Sequence, residues 1–258
     1  MQTFLEEILE LKQRRVELAK TRQTVADFNL ENSRPKHALR TRLLDDTKTH
    51  IIAEIKRASP SKGVINDKIE VAEVAKSYAA ADVAAISVLT EEDKFGGSLD
   101  DLKLARSVVN TPILRKDFVY DEFQIYEAVD AGADVILLIV AMLDDDKLLR
   151  FRRLAEDELG IDALVEVHTL EELERAKAIG ATIIGVNNRD LHSFKVSLDV
   201  SRELIKYSPK DALMIAESGI TTAEEIAELK ALGYRGFLIG ETLMRSGDIG
   251  VALKNLSA

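Results

Sequence analysis

Charged residues stand at the ends of several short apolar segments of this sequence. Glu54, Lys56, Lys116, Glu166 and Glu217 each occupy such a position. A buried charge is costly unless it pairs with another charge or binds a ligand. Lysines beside carboxylates can exchange protons and can hold anions. The residue types therefore predict acid–base chemistry on an anionic compound, with a self-satisfied ion-pair network as the alternative.

Two glycine-containing segments predict where a phosphate would bind. They are IAESGI, which contains Ser218 and Gly219, and LIGETLM, which contains Gly240 and Glu241. The second leads into a predicted short helix at 242–245. Backbone N–H groups beside a helix N-terminus, together with the helix dipole, favour an anion. Phosphate is therefore the expected group, with two ordinary turns as the alternative.

Short β-rich apolar runs alternate with stretches of helical periodicity. The predicted strands are 50–56, 83–89, 112–116, 135–140, 163–167, 183–186, 213–216 and 236–239. Most are apolar throughout, as parallel strands buried on both faces should be. We predict an α/β fold, a (β/α)₈ TIM barrel, with the site at the carboxyl ends of its strands. A doubly wound open sheet is the alternative, although RASPSKG follows the first strand where that fold often has a glycine-rich turn.

The residues before the first strand predict a helical extension. Apolar residues between Leu5 and Leu18 suggest an amphipathic helix, and residues 35–44 suggest another. We expect residues 1–47 to cover one barrel opening, with a partner-binding helix as the alternative, and residues 48–258 to form the barrel. The whole chain, 1–258, is predicted to be a single domain. Capping-box patterns begin three of the later helices, at Ser98, Thr169 and Thr222.

Composition excludes several kinds of chemistry. The net charge of −10 argues against broad nucleic-acid binding, and the absence of cysteine excludes disulfides and a cysteine nucleophile. The longest apolar run is too short to cross a membrane, and the N-terminus lacks the features of a signal peptide. We expect a cytoplasmic monomer, with a dimer as the alternative. The four histidines have no metal-ligand spacing, so no metal site is expected, and His168 is predicted to be structural or to start the next helix.

Several motifs together resemble one family. IIAEIKRASPSKG is similar to the signature of indole-3-glycerol-phosphate synthase, and LRKDF, LVEVH, GVNNRDL, IAESGI and LIGETLM follow in order, one per predicted strand. The resemblance implies the substrate 1-(o-carboxyphenylamino)-1-deoxyribulose 5-phosphate. It implies closure of an indole ring with loss of CO₂ and water, and no metal or organic cofactor.

The resemblance also implies separate roles for the site residues. Lys116 resembles the general acid and Glu166 a second acid/base. Lys56 resembles the lysine that holds the anionic substrate, and Glu54 looks like a partner that orients the lysines. The other implied contacts are hydrogen bonding by Asn187, charge support from Arg189 and Glu217, the loop residues Ser59 and Pro60, the aromatic wall Phe118, and phosphate binding by Ser218, Gly219, Gly240 and the backbone N–H of Glu241. Glu241 departs from family members that have serine there, and its carboxylate is expected to point away.

Two other functions remain open at this point. One is another phosphate-binding barrel such as phosphoribosylanthranilate isomerase, whose chemistry fits two lysines with Glu54 and Glu166 less well. The other is a non-catalytic barrel that binds anions or a partner.

Overall fold

The computed structural model describes residues 3–31, 34–66 and 68–257, and its centre is a closed barrel of eight parallel strands. The strands are β1 (His50–Ile55), β2 (Ala85–Leu89), β3 (Ile113–Lys116), β4 (Val135–Ile139), β5 (Asp162–Val167), β6 (Ile183–Asn187), β7 (Leu213–Glu217) and β8 (Gly236–Ile239). Because β8 pairs with β1, with His50 opposite Gly236, the sheet closes on itself. The predicted barrel and its eight strands are confirmed, and the open sheet is excluded.

Helices surround the barrel. They are α3 (Val71–Ala80), α4 (Leu99–Val108), α5 (Glu122–Ala131), α6 (Asp145–Arg153), α7 (Leu170–Ala178), α8 (Asp199–Leu204), α9 (Ala223–Leu232), α10 (Glu241–Met244) and α11 (Ile249–Leu256). The three predicted caps are confirmed, since Ser98, Thr169 and Thr222 each accept a hydrogen bond from the backbone N–H three residues later. Each cap satisfies an N–H group that the helix itself leaves unpaired.

Strand alternation carries the chain from an apolar core to a polar site. Residues two apart in a strand face the same side. Ile52, Leu114, Leu164 and Ile215 belong to one buried apolar cluster inside the barrel. The residues two positions after them are Glu54, Lys116, Glu166 and Glu217. A charged layer therefore caps the apolar interior at the carboxyl ends of the strands.

The N-terminal extension reaches both barrel openings. Helix α1 (Phe4–Lys20) lies at the carboxyl ends, where Ile8 joins the cluster that contains Phe118. Helix α2 (Ala38–Leu43) closes the amino ends, where Asp162 accepts hydrogen bonds from the backbone N–H groups of Leu39 and Arg40 at 2.9 and 3.0 Å. The expectation that residues 1–47 cover one opening was wrong, because the two helices of the extension pack at opposite ends.

Candidate active site

A cavity of about 810 Å³ opens at the carboxyl ends of the strands. Its volume is suited to a small organic ligand. Every residue that the sequence predicted for the site lines it: Glu54, Lys56, Ser59, Pro60, Lys116, Phe118, Glu166, Asn187, Arg189, Glu217, Ser218, Gly219, Gly240 and Glu241. The structure therefore brings together residues that are spread over almost two hundred positions of sequence, between 54 and 241.

Lys116 lines this cavity from the carboxyl end of β3. Its ammonium group donates hydrogen bonds to Oε2 of Glu166 at 2.7 Å and to Oε2 of Glu217 at 2.9 Å. The lysine side chain is 13% exposed, and the two carboxylates are 2% and 1% exposed. One cation thus lines the cavity and is held by two more deeply buried carboxyl groups.

The electrostatics of this cluster shift the pKa values of its two carboxyl groups in opposite directions. Burial raises the pKa of Glu166, but the charges of Lys116 and His168 outweigh burial and bring it to about 2. Burial also raises the pKa of Glu217, and the neighbouring Glu166 charge opposes the help from Lys116, so it reaches about 7. Burial lowers the pKa of Lys116, but the charges of the surrounding carboxylates outweigh burial and raise it above its ordinary value. Near neutral pH, Glu166 is a proton acceptor while Glu217 carries a proton part of the time.

Lys56 and Glu54 form a second pair beside the first. Nζ of Lys56 donates to Oε1 of Glu54 at 2.6 Å, and the lysine side chain is 15% exposed. Glu54 fits only because the residue that follows β8 is a glycine. A Cβ atom at Gly240 would collide with Oε1 of Glu54. Gly185 plays the same part for Glu217, whose Oε1 occupies the space of the missing side chain.

Asn187 and Arg189 extend the site from the end of β6 towards the loop after β1. Oδ1 of Asn187 accepts a hydrogen bond from the backbone N–H of Arg189 at 3.0 Å. The guanidinium of Arg189 donates to Oγ of Ser61 at 3.2 Å. That loop is a small hairpin, Ala58–Ser59 with Gly63–Val64, which the sequence did not predict. Arg189 therefore links two loops across the mouth of the cavity.

The predicted phosphate segments lie side by side at one edge of the cavity. Ser218 and Gly219 both have left-handed backbone conformations, with φ of 64° and 81°. Gly240 immediately precedes α10, the predicted short helix. The Glu241 carboxylate accepts a hydrogen bond from Nε of Arg245 at 3.1 Å and lies 4.0 Å from Nζ of Lys62 and from the Arg189 guanidinium. This edge thus combines backbone N–H groups with three cationic side chains and one carboxylate.

Aromatic rings form part of the cavity wall. The ring centroid of Phe118 lies 6.1 Å from that of Phe4 and 6.0 Å from that of Phe95. Only Phe118 was predicted from the sequence. Phe95 stands in the loop after β2, and Phe4 starts the N-terminal extension, so no motif marked either of them. The wall is suited to a flat aromatic group.

Sequence reasoning also missed two charged residues that contact the site from behind. Lys12, in α1, is buried and pairs with Asp117, the neighbour of Lys116. His168, predicted to be structural, has its ring 3.4 Å from Glu166. A lysine in a surface helix is normally exposed. The only signal of the burial of Lys12 was its spacing of four residues from Ile8 and from Val16, which places it on the same side of the helix as both.

Neither a metal-site geometry nor a membrane-spanning helix occurs in residues 3–31, 34–66 and 68–257. Within these ranges no three or more His, Cys, Asp or Glu side chains are grouped so that they could hold a metal ion. No helix in the same ranges has the length and hydropathy needed to cross a membrane.

Solved structures of low sequence identity share this fold. 3-Hexulose-6-phosphate synthase from Salmonella typhimurium superimposes with a TM-score of 0.63 at 16% identity, covering 81% of this chain and 96% of that one. Thiamine phosphate pyrophosphorylase from Pyrococcus furiosus gives 0.59 at 18% identity, covering 84% and 95%. At these identities the likeness concerns the barrel alone.

Sequence relatives are far more similar. The family model described as indole-3-glycerol phosphate synthase matches residues 5–256. The chain is 45% identical over 256 residues to an indole-3-glycerol phosphate synthase of Legionella pneumophila, strain Paris, with 99% of each chain covered. It is 46% identical over 268 residues to one from Carboxydothermus hydrogenoformans, covering 99% of this chain and 100% of that one. The chain therefore belongs to the indole-3-glycerol phosphate synthase family.

Proposed function

We propose that this protein is an indole-3-glycerol-phosphate synthase, a carboxy-lyase that acts on 1-(o-carboxyphenylamino)-1-deoxyribulose 5-phosphate. The observation that carries the proposal is the Lys116 ammonium, which faces the cavity while Glu166 and Glu217 hold it at 2.7 and 2.9 Å. A cation held in this way is suited to the oxygen of a ketone that must become electrophilic.

The residues that line the cavity support one proposed orientation of this substrate. Its phosphate is placed at Ser218, Gly219 and Gly240, where backbone N–H groups and the start of α10 meet. Its aromatic ring is placed against Phe118, and its carboxylate on Lys56. The ketone then lies between these ends, above Lys116. The two loop residues Ser59 and Pro60, and the side chains Asn187 and Arg189, are proposed to hold the ribulose chain and the carboxylate side.

Ring closure is the first proposed step. The aromatic carbon that bears the carboxylate bonds to the ketone carbon, and the carbonyl oxygen takes a proton from Lys116. The bond to the carboxylate then breaks, CO₂ leaves, and its bonding electrons restore the aromatic ring. The product of this step carries a hydroxyl group on the new five-membered ring. Glu54 keeps Lys56 in place during the step through their 2.6 Å hydrogen bond.

Loss of water is the second proposed step. The hydroxyl group takes a second proton and leaves, while the neighbouring carbon loses a proton to Glu166 and a double bond forms. Lys116 can supply the second proton after it is reprotonated by Glu217, whose pKa of about 7 suits that transfer. Two protons reach the oxygen and one leaves carbon, so one proton is consumed, as a decarboxylation of a carboxylate requires.

A direct assay tests the proposed function. The purified protein is incubated with the carboxyphenylamino ribulose phosphate while indole fluorescence and CO₂ are followed. Lys116→Met, which keeps the length of the side chain, is expected to lower kcat by about 10²- to 10⁴-fold. Lys76→Met is the control, because Lys76 is half exposed on α3 and pairs with Glu73 of the same helix, away from the cavity.

Three outcomes would contradict the proposal. The proposal is wrong if the wild-type protein produces neither indole fluorescence nor CO₂. Turnover of phosphoribosylanthranilate in its place would favour the isomerase. Unchanged behaviour of Lys116→Met would favour a non-catalytic anion-binding barrel. We further propose that residues 1–258 act as a single domain, since α1 and α2 are packed against both ends of the barrel.

A further inference from the structure

His168 follows β5 and lies behind the catalytic carboxylate. Its Nε2 atom is 3.4 Å from Oε1 of Glu166, and its Nδ1 atom is 3.2 Å from Oε2 of Glu172. The side chain is 10% exposed. Nε2 is buried and has no hydrogen-bond partner of normal geometry among the described residues. The imidazole is therefore enclosed between two carboxylates, one of which belongs to the proposed active site.

The position of the His168 ring between two carboxylates determines its protonation state. A neutral imidazole has one N–H donor and one lone pair, so one of its nitrogens would turn a lone pair towards a carboxylate. An imidazolium has two N–H groups and turns one towards each carboxylate. The other charged groups nearby are Glu217, which also raises the pKa of His168, and Lys116, which binds the second oxygen of Glu166. This arrangement favours the protonated ring.

Glu172 links this histidine to the start of α7. Its backbone N–H donates to Oγ1 of Thr169, the cap of the helix, at 3.2 Å. Its carboxylate accepts a hydrogen bond from the backbone N–H of His168 at 2.7 Å. The capping motif recognised in the sequence therefore also fixes the imidazole ring, because one carboxylate oxygen contacts both the backbone and the side chain of His168.

We propose that His168 is a positioning residue, which, as an imidazolium held by Glu172, fixes the Glu166 carboxylate and keeps it ionised. The inference rests on the proposed function only for its kinetic consequence. Lys116 donates a hydrogen bond to Oε2 of Glu166, and the imidazole Nε2 lies 3.4 Å from Oε1, so a positive charge faces each carboxylate oxygen. Without the imidazolium, Glu166 loses the charge beside Oε1 and binds a proton more readily.

The charge of His168 can be measured without any turnover. Burial lowers the pKa of His168, but the hydrogen bond to Glu172 and the nearby carboxylates raise it above its ordinary value. NMR of the imidazole nitrogens follows all four histidines through a pH titration, and the signal lost in His168→Gln identifies the relevant ring. We expect His168 to lose its proton above the ordinary pKa of about 6.5. The proposal is overturned if the His168 ring has already lost its proton below that ordinary pKa.

Glu172→Gln tests the link to α7, and the chain offers a matched control. In α9, Glu225 accepts a hydrogen bond from the backbone N–H of Thr221 at 2.7 Å, in the same way that Glu172 of α7 accepts one from the backbone N–H of His168. Thr221 therefore occupies the position in α9 that corresponds to His168. Glutamine keeps an acceptor oxygen in both places and removes the charge. Glu172→Gln is expected to lower the pKa of His168 by about one unit or more, and Glu225→Gln to leave it unchanged. Equal effects of the two variants overturn the link.

Kinetics then test the effect on Glu166. His168→Ala is expected to lower kcat by about tenfold to a hundredfold, because Glu166 loses the positive charge beside its Oε1 atom. His168→Gln places an amide donor near the position of Nε2 and is expected to recover part of kcat. Because Glu166 then has a higher pKa, kcat/KM of His168→Gln should fall relative to wild type as the pH is lowered. A kcat of His168→Ala within about twofold of wild type overturns the proposal, whereas inactive wild-type protein contradicts only the proposed function.

Discussion

Lys12→Met removes the cation from a buried ion pair that joins α1 to the barrel. Nζ of Lys12 lies 2.7 Å from Oδ1 of Asp117, and the two side chains are 5% and 0% exposed. Asp117 also accepts hydrogen bonds from Thr90 at 2.8 Å and from Arg115 at 3.1 Å. Methionine fills most of the same volume without the charge. The substitution therefore measures what the ion pair contributes to stability, with little loss of packing.

The size of the effect follows from burial. Removing one partner of a buried ion pair costs about 3 to 5 kcal/mol, because the other charge stays behind without compensation. Thr90 and Arg115 still contact Asp117, so we expect a loss near the lower limit, about 3 kcal/mol in the free energy of unfolding. Urea denaturation measures this directly.

Lys20→Met is the matched control for this experiment. Lys20 stands in the same helix and pairs with Asp121 at 2.6 Å, but its side chain is 44% exposed. An exposed pair contributes about 1 kcal/mol or less, so the control should lose far less stability than Lys12→Met. Equal losses in the two variants would refute the reasoning. The double variant Lys12→Met with Asp117→Asn should recover part of the loss, because it removes the buried Asp117 charge while Arg115 keeps its ion pair with Glu127 at 2.8 Å.

The pH dependence of the same variant has a definite sign. Burial raises the pKa of Asp117, but Lys12 and Arg115 outweigh burial and hold it well below its usual range. A carboxyl group with a lowered pKa in the folded state stabilises the protein above its unfolded pKa of about 3.9, and this contribution is lost as the pH falls below that value. The stability difference between wild type and Lys12→Met should therefore be largest at neutral pH and shrink in acid.

Two further outcomes are expected at the active site. The pKa of Glu217 is raised to about 7, so this group gains a negative charge as the pH rises through neutrality and repels the anionic substrate. In pH profiles, wild-type kcat/KM should fall through that range, and Glu217→Gln should lose this fall. Gly240→Ala should displace Glu54 from Lys56 and lower kcat/KM by about tenfold or more, whereas Gly247→Ala, which has open space around its Cβ position, should leave it unchanged.

The sequence by itself determined the barrel and most of its site. The apolar segments are buried on both faces and end in charged residues, so the strand number and the strand ends could be predicted from periodicity. The two-residue alternation of a strand is enough to place Glu54 and Lys56 on one side of β1. The glycine-containing segments after β7 and β8 likewise predicted the edge where phosphate is proposed to bind. All of these are local patterns, which a chain of any tertiary arrangement would display.

Only the tertiary structure decided which charges meet. Lys116 contacts Glu166 and Glu217 because of the register and closure of the barrel, and their separation in sequence, 50 and 101 positions, gives no sign of it. His168 is only two residues from Glu166 and four from Glu172, but its contact with both depends on how α7 starts after β5. Lys12 is the extreme case. A lysine in an amphipathic helix is expected in solvent, and its burial against Asp117 follows from where α1 packs across the mouth of the barrel.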